Sequence, residues 1–345
     1  MRTTLFFHRN QPIRSLGNRL AAFQERLAAF FFSADSDLWV GLLRLGLGFH
    51  VALFCLSLRS DWNNLFAGDS NGFISRDLTE AILTLQNPLV PRLGWLVAWG
   101  RCLGLTEETV LFVTWICLLG AACCPLLGFC CRTSAIIAWF LHLCAVKSGD
   151  FVAYGMDNFT TIGLFYLMVA PLPDHYALDW KLWKRPRYDP RRLGFQRRVL
   201  QLHMCLIYFF GGLTKCLGAG WWTGESMWRA LTRPPFNVIP LQLLISWKAV
   251  LPLLGIAVCL IETGYPFFIW WKRTRLIWLV CVFGMHVAIG LTMGLYLFSV
   301  IMIVLNLAAF GPGIFAGRAR DSGFGGKKRS HKSRRPPVKS VCCRI

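Results

Sequence analysis

The sequence predicts an all-α fold: a polytopic transmembrane helical bundle of about eight spans, with an N-terminal interfacial helix. Three observations carry this. Of the 345 residues, 55% are hydrophobic and only 16% are charged, too little charge to cover a soluble fold of this length. The apolar residues fall in runs close to the ~20 residues a helix needs to cross the hydrocarbon core. The basic residues behind the net charge of +20 stand in short blocks between those runs, as loop charges of membrane proteins do. That distribution argues against nucleic acid as a partner and for the lipid bilayer.

Residues 1–34 read as a cytoplasmic segment. No cleavable signal peptide is expected in it, because the first apolar run follows a polar stretch with five Arg. Within it Arg-Leu-Ala-Ala-Phe occurs at 19–23 and again at 26–30. The spacing puts Leu20, Phe23, Leu27 and Phe30 on one helical face, which predicts a helix lying on the inner leaflet. The predicted spans are 38–58, 108–128, 133–147, 158–173, 199–219 and 249–271, followed by the run 275–310. That last run is too long for one crossing at about 1.5 Å per residue. It carries Gly290 and Gly294 midway, so it predicts two helices joined by a tight turn.

Loop charge supports eight crossings with both termini cytoplasmic. In 59–107 the acids outnumber the four Arg, whereas 174–198 holds eight Lys or Arg against three Asp. Lys272, Arg273 and Arg275 form the next basic turn, and 312–345 holds ten basic residues against Asp321 alone. Basic loops then alternate with the others as the positive-inside rule requires. The step that fits least well is 220–248, mildly basic although assigned outside. The stretch from Leu89 to Leu105 is apolar enough that the outer loop 59–107 is expected to pack back onto the bundle.

The transmembrane domain is therefore 35–310, and 311–345 reads as a disordered basic tail attracted to anionic lipid. Most of the 14 Cys lie inside apolar runs, where a thiol behaves as a small apolar side chain. No spacing resembles a zinc site or a disulfide framework, so no metal is expected. Cys342-Cys343 is a pair open to lipidation.

Ionisable side chains inside lipid are costly and mark functional candidates. Counted from the inner boundaries, His50, His142, Glu262 and His286 fall midway across. Lys215, Asp150, Asp157 and Asn158 lie near the outer ends, with Trp221, Trp222 and Glu225 just beyond the fifth span. The expectation is that these groups converge on one cavity opening outward. Each also has a plainer reading: Lys215 snorkels to the headgroups, each His is a hydrogen-bonded packing residue, and the Trp pairs are interfacial belts. Glu262 has to be neutral, paired or hydrogen-bonded at that depth, and Arg44 is one partner to consider.

Tyr208-Phe209-Phe210-Gly211-Gly212-Leu213-Thr214-Lys215, followed by Trp221-Trp222, Gly224 and Met227, resembles a segment of the vitamin K-dependent γ-carboxylases. It is similar also to the wider horizontally transferred transmembrane (HTTM) domain proteins. Gly155-Met156-Asp157, His175-Tyr176-Ala177-Leu178-Asp179, Leu260-Ile261-Glu262 with Pro266, and His286 match in order, so the resemblance covers roughly 35–310.

The resemblance implies an enzyme using reduced vitamin K or menaquinol, with Lys215 as the base and His286 also catalytic. Asp157, Asn158, Glu262 and Trp222 would be the substrate-binding residues. An ammonium in an apolar pocket loses its hydration, which makes the free amine available. Two departures stand against a full match. Asn158 falls where the carboxylases have a histidine, and the basic tail replaces their large extramembrane domain. The substrate would then be small or presented by a separate protein. The alternatives are a non-catalytic accessory protein for maturation or export of a secreted peptide, or a carrier of a lipid or hydrophobic solute.

Overall fold

A computed structural model describes residues 11–68, 76–149, 152–183 and 188–313, and all regular structure among them is helical. An amphipathic α1 (Gln11–Phe31) precedes α2 (Leu38–Ser57). Three short helices follow: α3 (Trp62–Phe66), α4 (Arg76–Gln86) and α5 (Leu93–Cys102). Then come α6 (Glu107–Leu127), α7 (Cys131–Ser148), α8 (Gly155–Val169), the short α9 (Leu178–Trp183) and the long α10 (Pro190–Leu217). Short helices α11 (Ala219–Thr223), α12 (Glu225–Thr232) and α13 (Leu241–Ser246) lead into α14 (Leu251–Phe268), α15 (Lys272–Met293) and α16 (Tyr296–Phe310).

Each predicted span coincides with one helix. Five of them, α2, α6, α10, α14 and α15, are long and apolar enough to cross a membrane. α16 is as apolar but only 15 residues long. α7 and α8, at 18 and 15 residues, stand where the third and fourth spans were predicted.

The local sequence explains the boundaries. Thr106 caps α6 by accepting the Thr109 N–H, Glu107 and Glu108 fill the first turn, and Gly128 ends the helix at φ 74°. Asp189 caps α10 with Pro190 in the first position. The run 275–310 breaks at Gly294, at φ 72°. Gly290 is not part of that turn. It lies inside α15, where a Cβ would sit 2.8 Å from Ser299 Oγ, so its role is to let α16 approach.

The core forms around α2. Its Trp39, Leu43, Leu47 and Val51 are buried among α6, α8 and α16. The loop 59–107 packs back as expected: the Trp62 indole donates to the Leu111 carbonyl at 3.0 Å, and Leu93 N–H donates to Ser148 Oγ at 2.8 Å. In α1 the apolar Leu20, Phe23 and Leu27 remain exposed, while Phe30 docks against Trp270 and the Arg198 guanidinium.

One end of the bundle gathers the boundaries that were predicted to be basic and inward. Arg197 bridges Asp35 at 2.5 Å, and Arg197 and Gln201 both donate to the Ala309 carbonyl at the end of α16. Asp179 accepts the Cys130 and Cys131 N–H groups at the start of α7. Arg275 donates to the Ile269 and Trp270 carbonyls beyond α14.

Arg44 belongs to this end too. It does not reach Glu262, the partner considered for it from sequence. It pairs with Asp174 at 2.5 Å and donates to the Pro125 carbonyl, with both charged side chains buried. Asp174 stands in the turn beyond α8, after Pro173, so the guanidinium is satisfied without leaving the bundle.

Candidate functional site

The site lies where α10 and α14 touch, near the end of the bundle opposite the basic one. Small residues allow the approach. A Cβ on Gly212 would lie 2.5 Å from Thr263 N and 2.9 Å from the Glu262 carbonyl carbon, and one on Gly255 would lie 2.1 Å from Trp221 O. Two helix backbones can come this close only where no side chain intervenes.

That contact brings Lys215 Nζ to 2.5 Å from Glu262 Oε2. The Glu262 side chain is 11% exposed and that of Lys215 is 25% exposed, so the carboxylate is the inner partner and the ammonium the outer one. Lys215 Nζ also lies 5.5 Å from the Trp221 ring centre, a cation–π distance.

Two helical turns deeper on the same face of α10 lies Tyr208. Its hydroxyl is 2.7 Å from His286 Nε2 and accepts from Asn306 Nδ2, also at 2.7 Å. Tyr265 donates to Asn306 Oδ1 at 2.7 Å, and its ring lies 4.2 Å from that of Tyr208. Either the Tyr208 hydroxyl or the Nε2–H of His286 can donate in this contact, depending on the imidazole tautomer. His286 Nδ1 is buried and has no hydrogen-bond partner among the described residues. The site thus joins an ion pair to a four-residue hydrogen-bonded network drawn from α10, α14, α15 and α16.

The expected single cavity is not what forms. Lys215 pairs with Glu262 and His286 bonds to Tyr208 two helical turns deeper, but His50 and His142 belong to a second cluster between α2, α7 and α8. His50 Nε2 is 2.7 Å from Thr160 Oγ1 and His142 Nδ1 is 3.1 Å from Thr161 Oγ1. Consecutive threonines on α8 point in different directions, so each holds one histidine. Three cavities stand out, and none is lined by Lys215, Glu262 or His286.

Asp157 is buried as a cap: its carboxylate accepts the Tyr154 N–H at 2.8 Å, and it lines a cavity between α2, α7 and α8. Asn158 is exposed on the outer face of α8. Trp222 folds back to donate to the Cys216 carbonyl at 2.8 Å. Asp150 and Cys342-Cys343 lie outside the described residues.

Sequence reasoning missed Tyr208, Tyr265 and Asn306. Tyr208 had a usable signal, since it stands seven residues before Lys215 and so on the same helical face. Asn306 had one as well, as an uncharged amide inside an apolar helix.

The chain matches the HTTM domain family over residues 97–312 and belongs to that family. α2 precedes the matched region. No curated protein and no solved structure matches the chain significantly.

Close contact at Gly212 makes a direct prediction. Gly212→Val, meeting backbone atoms on α14, should cost roughly 2–3 kcal/mol as overpacking and separate Lys215 from Glu262. Gly211→Ala, whose nearest neighbour is the Glu262 carboxylate end at 3.3 Å, should fold normally. Thermal unfolding of both variants in detergent checks this.

Proposed function

We propose that this multi-pass membrane protein is a quinol-dependent enzyme of the carboxylase/epoxidase kind, with Lys215 as its base and an extracytoplasmic-facing site. The observation that carries the reading is the Lys215–Glu262 pair, 2.5 Å apart among apolar helices. Glu262 holds Nζ in place and can receive its proton, which frees the amine to act as a base.

The residues fit a hydroxylated aromatic ring. Lys215 offers a basic nitrogen to a ring hydroxyl, His286 Nδ1 lacks a partner among the described residues, and the Trp221 ring beside Nζ supplies an apolar face. A bound quinol would supply the reducing electrons for oxygen chemistry. Lys215 would take a hydroxyl proton from it, and Tyr208 and Asn306 would keep His286 oriented. Asn158 and Trp222, exposed near the same end, would meet the second substrate. The basic loops gathered at the opposite end support cytoplasmic termini and a cell-membrane location.

The test is quinol turnover by protein in nanodiscs with menaquinol or vitamin K hydroquinone and oxygen. Epoxide formation should fall by about 10²–10⁴-fold in Lys215→Ala, the usual contribution of a general base, with folding retained. No epoxide from folded wild type, with or without bicarbonate and glutamyl peptides, would sink the enzymatic reading and favour an accessory role.

A further inference from the structure

Two thiols face each other across the seam between α10 and α14. Along that seam the partner numbers fall on α14 as they rise on α10 and α11: Tyr208 meets Tyr265, Gly212 meets Thr263, Lys215 meets Glu262, and Trp221 meets Gly255. Cys216 stands one helical turn beyond Gly212, and Cys259 one turn before Thr263. The antiparallel register therefore sets the two cysteines opposite each other, between the contacts at Gly212 and Gly255. Neither of those contacts has room for a Cβ, so the two backbones stay close on both sides of the pair.

Both cysteines are free, and the Cys259 thiol lies within hydrogen-bonding contact of Cys216. A disulfide needs Cα atoms roughly 4.4–6.8 Å apart with their Cβ atoms turned together. Thiols in contact across a glycine-cleared seam approach that geometry without moving either helix. Their exposures differ: Cys259 is fully buried, while Cys216, in the last turn of α10, is partly exposed. A reagent can reach Cys216 first, and Cys259 is placed to displace it afterwards.

We infer that Cys216 and Cys259 form a dithiol–disulfide couple that pins α10 to α14 beside the Lys215–Glu262 pair, oxidised by exchange with a small-molecule or protein disulfide. Cys216, as the thiolate, attacks one sulfur of that disulfide, forming a mixed disulfide and releasing the other half as a thiol. Cys259 then gives up its proton and attacks Cys216 Sγ, releasing the second half. Two protein thiols become one cystine, and both electrons and both protons leave with the two reagent thiols. The link closes a loop containing α11, α12 and α13, so it restrains the unfolded chain as well as the seam. The couple needs no quinol and is independent of the base assignment.

The experiment is oxidation of the full chain in nanodiscs with glutathione disulfide, and in parallel with the membrane-permeant oxidant diamide. Alkylation in denaturant and peptide mapping without reductant follow. The expected product joins the peptides carrying Cys216 and Cys259 and melts at least about 5 °C higher than the dithiol form. Dithiothreitol should reverse both changes. Cys216→Ser and Cys259→Ala should each lose the link and the shift, while Cys281→Ser, on α15, keeps both. Glutathione held on Cys216 with no cross-link would show that Cys259 cannot displace it, and would overturn the inference. Recovery of both cysteines alkylated and unlinked from folded protein after either oxidant would overturn it too. A cross-link in protein that shows no Lys215-dependent turnover would uphold the couple and remove only the enzymatic reading.

Discussion

Asp174→Ala is expected to destabilise the bundle by about 3–5 kcal/mol, the usual cost of stranding a buried charge. The Arg44 side chain is 2% exposed and that of Asp174 is fully buried. With the carboxylate gone, Arg44 keeps only the Pro125 carbonyl, and it lies too deep for its head to reach water. Asp174 also accepts the Tyr176 N–H at 3.0 Å, so its loss frees the turn after α8 as well. Arg44→Met combined with Asp174→Asn removes both charges and leaves an acceptor for that N–H, and should recover most of the stability. Unfolding free energies in mixed micelles decide the matter. A loss below about 1 kcal/mol for Asp174→Ala, the range of an exposed pair, would show that the contact does not hold the helices.

A double-mutant cycle on Lys215 and Glu262 should be asymmetric. Lys215→Met leaves the more buried carboxylate without its partner and is expected to cost about 3 kcal/mol, the lower part of the range for a broken buried pair. Glu262→Gln leaves an ammonium that still faces the Trp221 ring and lies near the surface. Its cost should be about 1–2 kcal/mol, close to that of one charged hydrogen bond. Lys215→Met/Glu262→Leu should approach wild-type stability while abolishing any turnover. Stability and activity then separate: a purely structural pair predicts that the apolar replacement behaves like wild type in every assay. Equal costs for the two single variants would contradict the burial order of the two groups.

The helices were legible in the sequence because hydropathy and helix length are local properties. The break before α16 was legible as well, although only Gly294 makes the turn and Gly290 serves packing. Lys215, Glu262 and His286 were readable as candidates, since a charged or titratable group in an apolar run stands out. Their partners were not. Asp174 lies just past the end of α8, where a carboxylate looks like ordinary loop charge, and nothing local ties it to Arg44. Tyr208 and Tyr265 look like interfacial aromatics until the register of α10 against α14 places them ring against ring. The division into two polar clusters also depends on helix order around the bundle. Thr160 and Thr161 draw the two histidines to α8, and no periodicity within a single helix encodes that arrangement.

The Arg44–Asp174 contact spans 130 residues of sequence, and that separation bears on how the protein is made. Helix α2 is made before α8, and it carries the guanidinium with it. At ordinary synthesis rates the carboxylate follows on the order of ten seconds later. During that interval α2 has neither its counter-charge nor the packing of α8 and α16. The newborn helix therefore has to wait at the insertion machinery or at the inner membrane surface, with Arg44 near the headgroups. It can settle to its final depth only when α8 has been delivered and Asp174 reaches it, so the place of α2 is fixed by a segment made after it.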